Sequence, residues 1–197
     1  MLNLPNIQKL LSEIRSCTLC SEHLPLGPNP IISASKSTKI ALVSQAPGSI
    51  AHKSGIPWDD PGGRELKRWL QVTEDVFYNP DNFGIIPIGF CYPGKGKSGD
   101  LPPRPECAPL WHSSVFSELN HLKIRFLIGQ YSQKYYLGKK AKRTLTETVK
   151  NFKEYLPDYF PLPHPSPRNR IWRAKNPWFE QEVLPELRVL VKEILKV

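Results

Sequence analysis

The residues best placed to do chemistry lie in Leu162-Pro-His-Pro-Ser-Pro-Arg-Asn-Arg-Ile-Trp172, which sets one imidazole, His164, between two prolines. A hydroxyl, Ser166, follows, and then two guanidiniums, Arg168 and Arg170, on either side of the Asn169 amide. Proline fixes φ and removes a backbone donor, so Pro163, Pro165 and Pro167 predict a stiff, extended loop that joins neither a helix nor a central strand. Such a loop holds His164 in place, next to groups suited to an anionic or acceptor-rich partner. The competing reading is a surface loop carrying a solvated histidine.

The four cysteines fall as Cys17-x2-Cys20, then seventy residues, then Cys91-x15-Cys107. A zinc ribbon more typically has two close C-x2-C pairs, and the second pair here is not close. Four thiolates suit a [4Fe–4S] cluster, and unrelated buried cysteines are the alternative. Lys95-Gly-Lys-Ser98 fails as a phosphate-binding loop, because Cys91 stands where that pattern requires glycine. Its lysines read as phosphate contacts on a flexible loop or as solvated charge. Trp58 sits in a proline-rich loop as a core anchor or a stacking platform, and Asp59 and Asp60 beside it have the composition of a turn.

The elements that must position these groups come from apolar periodicity. A helix is predicted over residues 5–15 from Ile7, Leu10, Leu11 and Ile14, and strands over 39–44, 84–90, 123–128 and 159–162. Pro87 makes the second strand edge-like. Helices are predicted through Leu66, Trp69 and Leu70, from Leu110 to Leu122, around Tyr131 to Tyr136, over 144–154, and from Asn176-Pro177 onward with a kink at Pro185. Alternating strands and helices predict a three-layer α/β/α fold with a central four-stranded parallel sheet. Gln45-Ala-Pro-Gly48, Cys91-Tyr-Pro-Gly94, Gly129-Gln130 and His164-Pro-Ser-Pro167 all follow strands. They should gather at the carboxyl edge of the sheet, where open α/β folds bind ligands.

The length of 197 residues and 40% hydrophobic content fit a single domain over 1–197. Twenty-seven Lys and Arg against eighteen Asp and Glu give +9, which suits a polyanion partner. No signal-like N-terminus or transmembrane run is visible, so a cytoplasmic protein with reduced thiols is expected.

Taken together, these motifs resemble the uracil-DNA glycosylase superfamily, particularly its iron–sulfur branch, family 4. The resemblance is carried by Cys17-x2-Cys20, Gln45-Ala-Pro-Gly48, Gly55-Ile-Pro-Trp58, Cys91-x15-Cys107, His164-Pro-Ser-Pro167 and Asn176-Pro-Trp-Phe179. The His164 to Asn169 loop is also similar to that of the single-strand-selective class. The resemblance implies an enzyme that flips a damaged nucleotide out of DNA and hydrolyses its N-glycosidic bond. It implies that His164 donates to the departing base and that Trp58, with Ala46, Pro47 and Gly48, lines the base pocket. It further implies that Ser166 and Pro167 pinch the DNA backbone while Arg168, Asn169 and Arg170 fill or flank the vacated stack. Cys17, Cys20, Cys91 and Cys107 would hold a [4Fe–4S] cluster.

Two positions depart from the family pattern. Gln45 replaces the usual glutamate, and an amide can orient a water but cannot take its proton. Water activation is therefore expected at Asp60, with Asp59 the lesser candidate, since the family 5 branch carries an aspartate in this neighbourhood. Pro87 replaces the asparagine that reads the pyrimidine edge, so base selectivity comes from elsewhere or is relaxed. The expectation is a monomeric glycosylase acting on DNA that contains uracil or another deaminated base. Alternatives are a non-catalytic iron–sulfur DNA-binding relative and a small-molecule hydrolase. The latter is disfavoured by the +9 charge and the lack of a Gly-x-Ser-x-Gly elbow.

Overall fold

A computed structural model describes residues 6–97 and 99–196. In chain order the strands are β1 (Ile40–Val43), β2 (Phe83–Ile85), β3 (Lys95–Gly96), β4 (Gly99–Asp100), β5 (Ile124–Ile128) and β6 (Tyr159–Leu162). The helices are α1 (Ile7–Arg15), α2 (Ser49–Ser54), α3 (Pro61–Leu70), α4 (Glu74–Tyr78), α5 (Cys107–Ser117), α6 (Gln130–Leu137), α7 (Leu145–Lys150), α8 (Arg170–Lys175) and α9 (Leu184–Leu195).

The central sheet runs β2-β1-β5-β6, parallel throughout, so the expected four-stranded three-layer fold is the one observed. Every residue of β1 is buried, as a strand covered on both faces requires, and its sequence is accordingly an unbroken apolar run. Side chains alternate across the sheet. Ile40, Leu42, Phe126, Ile128, Phe160 and Leu162 pack into one core with α3 and α9. Ala41, Val43 and Leu127 face the opposite way into a second core with α1 and α5. Among the described residues, no helix is long and apolar enough to cross a membrane.

Several boundaries differ from expectation for identifiable reasons. The first helix starts at Ile7, capped by the Asn6 side chain accepting from Gln8 N–H, and Pro5 lies outside the described residues. Instead of spanning 84–90, β2 ends at Ile85, although Ile86 and Ile88 still donate to the Leu42 and Ser44 carbonyls. Pro87 between them has no N–H to give. The 144–154 helix is broken into α7, opened by a Thr144/Glu147 capping box, and a 3-10 turn over Phe152–Tyr155.

Pro185 does not kink a long helix. It sits in the first turn of α9, where its missing donor costs nothing, and a π-helical turn at Phe179–Val183 precedes it. The expected extended loop also stops early. Pro167–Asn169 is a 3-10 turn capped by Ser166 Oγ and leads directly into α8, so Arg168 and Arg170 sit on helical turns.

Candidate active site

Because the strands are parallel, the segments that follow them meet at one edge, and together they enclose a cavity of about 440 Å³. Ser44 to Gly48 come from the end of β1, Gln130 and Tyr131 from that of β5, and His164, Ser166, Arg168 and Asn169 from that of β6. Pro57, Trp58 and Asp60, ahead of α3, form another wall, and Gly99 and Asp100 of β4 also line the cavity. Pro87, beyond β2, also lines it. Three of the four predicted loops thus converge here; from the fourth, Cys91 to Gly94, no residue reaches the cavity wall.

The Ser166 backbone N–H donates to His164 Nδ1 at 3.2 Å. Nδ1 is therefore the acceptor, and the neutral ring carries its proton on Nε2. Burial lowers the His164 pKa from its ordinary value, while the Asp60 carboxylate opposes that shift. Asn169 Nδ2 donates to the His164 carbonyl at 2.7 Å, holding the loop closed on itself. Behind the ring, Gly129 has φ +86°, a left-handed angle that strains any other residue, and a methyl group there would lie in ordinary contact with His164 Cβ at 3.6 Å.

Trp58 is both core anchor and cavity wall. It packs in the α3/α9 core, is 9% exposed, and sits 5.6 Å from the His164 ring, centroid to centroid. Its φ of +60° is left-handed, a costly conformation for a bulky residue. The close approach of α3 holds it there, since any side chain on Gly63 would collide with the Trp58 carbonyl.

Asp60 caps α3 by accepting from Gly63 N–H at 2.7 Å through Oδ1, leaving Oδ2 toward Gly48. Asp59 is exposed and does not line the cavity. The Gln45 amide donates to the Leu101 carbonyl at 2.8 Å.

Sequence reasoning missed Asp100. It lies on the antiparallel ribbon β3–β4, in register with Lys95, inside what reads as a plain basic loop. Asp100 is exposed as a residue, yet partial desolvation at the cavity wall raises its carboxyl above the ordinary value; Arg168 opposes that shift and Asp60 adds to it. Of the basic residues, Arg168 lines the cavity, while Arg170, Lys95 and Lys97 are exposed near it in sequence; Ser98 lies outside the described residues.

Cys17, Cys20, Cys91 and Cys107 are all partly buried and free. Burial is the main reason the Cys20, Cys91 and Cys107 thiols are raised, Cys107 to about 12, and the charge of neighbouring cysteines adds to it in each. Cys107 Sγ accepts from Phe90 N–H at 3.4 Å. Among the described residues, no three His, Cys, Asp or Glu side chains stand at metal-binding spacing.

The carboxyl edge of the parallel sheet thus holds a proline-braced histidine against a tryptophan inside one cavity, where open α/β folds bind ligands. Family-wide comparison agrees: residues 32–188 match the uracil DNA glycosylase superfamily, and the chain belongs to it. Cys17 and Cys20 precede the matched span, whereas Cys91 and Cys107 fall within it.

Proposed function

We propose that this protein is a base-excision glycosylase that takes uracil or another deaminated base out of DNA and hydrolyses its N-glycosidic bond. The observation that carries the reading is the Ser166 N–H bond to His164 Nδ1, which presents Nε2–H as a donor in the cavity. As the glycosidic bond breaks, negative charge builds on the departing pyrimidine or purine. A fixed donor at its carbonyl oxygen is commonly worth about 3 kcal/mol in the transition state. Flipping costs a few kcal/mol, least for a damaged or unpaired base, and the Trp58 wall offers apolar contact that offsets it. Arg168 and the exposed Arg170 and Lys95 suit phosphate contacts, and the +9 charge favours capture of DNA by a monomer.

The four cysteines match a [4Fe–4S] group in donor chemistry, with the Phe90 N–H already donating to the Cys107 sulfur. Cys17, Cys20, Cys91 and Cys107 would hold it. Its contribution would be to tie the segment after α1 to the start of α5.

The reading is tested by incubating the purified protein with oligonucleotides containing uracil, hypoxanthine or xanthine and resolving alkali-cleaved strands on a gel. Release of at least one base supports it. One observation favours a second reading, a non-catalytic DNA-binding relative: the Gln45 amide is bonded to Leu101, where the family usually has a carboxylate. Tight binding of all three oligonucleotides without cleavage would decide for that relative.

A further inference from the structure

Asp100 belongs to none of the motifs that carry the family resemblance, yet it lines the same cavity as His164 and Asp60. We infer that Asp100 takes the proton of the attacking water, and that Gln45 is the positioning residue that holds it over the cavity. This rests on the glycosylase reading.

The geometry begins at Gly48. A methyl group placed there would meet Asp100 Oδ2 at 3.7 Å and Asp60 Oδ2 at 3.9 Å, so the two carboxylates converge over a residue with no side chain of its own. One Asp60 oxygen is committed to capping α3 through Gly63. Asp100 has no such commitment to a helix. The charged and titratable groups facing it are Arg168, Asp60, Lys95 and Tyr92, and the Tyr92 hydroxyl hydrogen-bonds its carboxylate.

Gln45 explains how a short ribbon is held so close. Its Nε2–H donates to the carbonyl of Leu101, next to Asp100, and Leu101 N–H in turn donates to Gly94 O at 2.8 Å. A glutamate at position 45 could not donate at neutral pH. The amide thus gives up proton-accepting ability at residue 45 and gains a bond that fixes a carboxylate at residue 100.

The proposed step balances. Water oxygen bonds to the sugar C1′ as the C1′–N bond breaks, the bonding pair leaves with the base, His164 Nε2–H hydrogen-bonds its carbonyl oxygen, and the water proton passes to Asp100.

The test uses two uncleavable DNAs, one with a cationic pyrrolidine abasic analogue and one with a neutral tetrahydrofuran. A carboxylate placed for this step attracts the cation-like sugar, so the parent protein should prefer the pyrrolidine DNA by about tenfold or more. Asp100→Asn should abolish the preference while leaving tetrahydrofuran DNA binding and the thermal midpoint unchanged, and should slow single-turnover base release by about a hundredfold. Gln45→Met, which keeps the length without the donor, should lose most of the preference.

A preference that survives in Asp100→Asn, or is missing from the parent, overturns the assignment. One that survives in Gln45→Met overturns the positioning role. A parent that prefers pyrrolidine DNA yet releases none of the three bases keeps Asp100 as the carboxylate facing the sugar, but sinks the hydrolytic reading and the proton transfer with it.

Discussion

Trp58 and His164 are in ring contact, with centroids 5.6 Å apart and planes inclined by 33°. That gap is too small to admit a base between them, so under the proposed function a flipped base lies alongside the pair. Burial lowers the His164 pKa, and the indole covers part of that ring. One side chain thereby shapes the pocket and holds the other in the neutral form whose Nε2–H can donate.

Removing the indole should expose the imidazole to water. Trp58→Gly suits this test because φ at residue 58 is +60°, an angle glycine adopts without strain. The His164 pKa, followed by NMR through the ring protons, should rise toward the ordinary histidine value. An unchanged or lower pKa would show that burial of His164 comes from elsewhere.

The sheet was legible in the sequence because strands buried on both faces must be apolar throughout, and Ile40 to Val43 and Ile124 to Ile128 nearly are. The convergence of loops followed from parallel topology alone. Asp100 was not legible, because two-residue strands such as Lys95–Gly96 and Gly99–Asp100 carry no apolar alternation. The role of Gln45 was hidden for another reason: its partner is a backbone carbonyl fifty-six residues away, which no local pattern encodes. The π-helical turn at Phe179–Val183 sits in a segment whose apolar spacing looks helical throughout, so only Pro185 hinted at it.

A buried histidine outside the cavity should govern acid stability. His112 Nε2–H donates to the Pro87 carbonyl at 3.0 Å, and Tyr136 O–H donates to Nδ1 at 2.5 Å. Burial, with Arg125 nearby, lowers its pKa to about 4. The unfolded chain, with an ordinary histidine, binds the proton first, so stability falls as pH drops from the ordinary value toward 4. The loss amounts to about 3 kcal/mol by the bottom of that window. Denaturant melts at pH 7 and pH 4 should show this extra loss in the parent and not in His112→Asn. Equal pH dependence in the two proteins would refute it.

If the cysteines hold a cluster, anaerobically purified protein should be brown with about four irons per chain. Cys17→Ala should lower the iron content and the thermal midpoint together, because it unties the segment after α1 from α5. Colourless protein containing one zinc, or a Cys17→Ala variant with parental stability and iron, would remove the cluster from the account.

His164 and Arg168 should fail in different ways. His164→Ala removes a donor matched to charge that appears only in the transition state, so single-turnover cleavage should fall by about a hundredfold or more with DNA affinity nearly intact. Arg168 lines the cavity beside Gly99, where a methyl group would overlap its guanidinium at 2.7 Å. Its loss should weaken capture, and more for paired DNA than for single strands, in which the base is already partly unstacked. Matched thermal midpoints exclude unfolding as the cause. A well-folded His164→Ala that releases uracil at the parental rate would mean that the proline-braced histidine is not the catalytic donor, and the Ser166 N–H bond to Nδ1 would then be a loop-stabilising contact only.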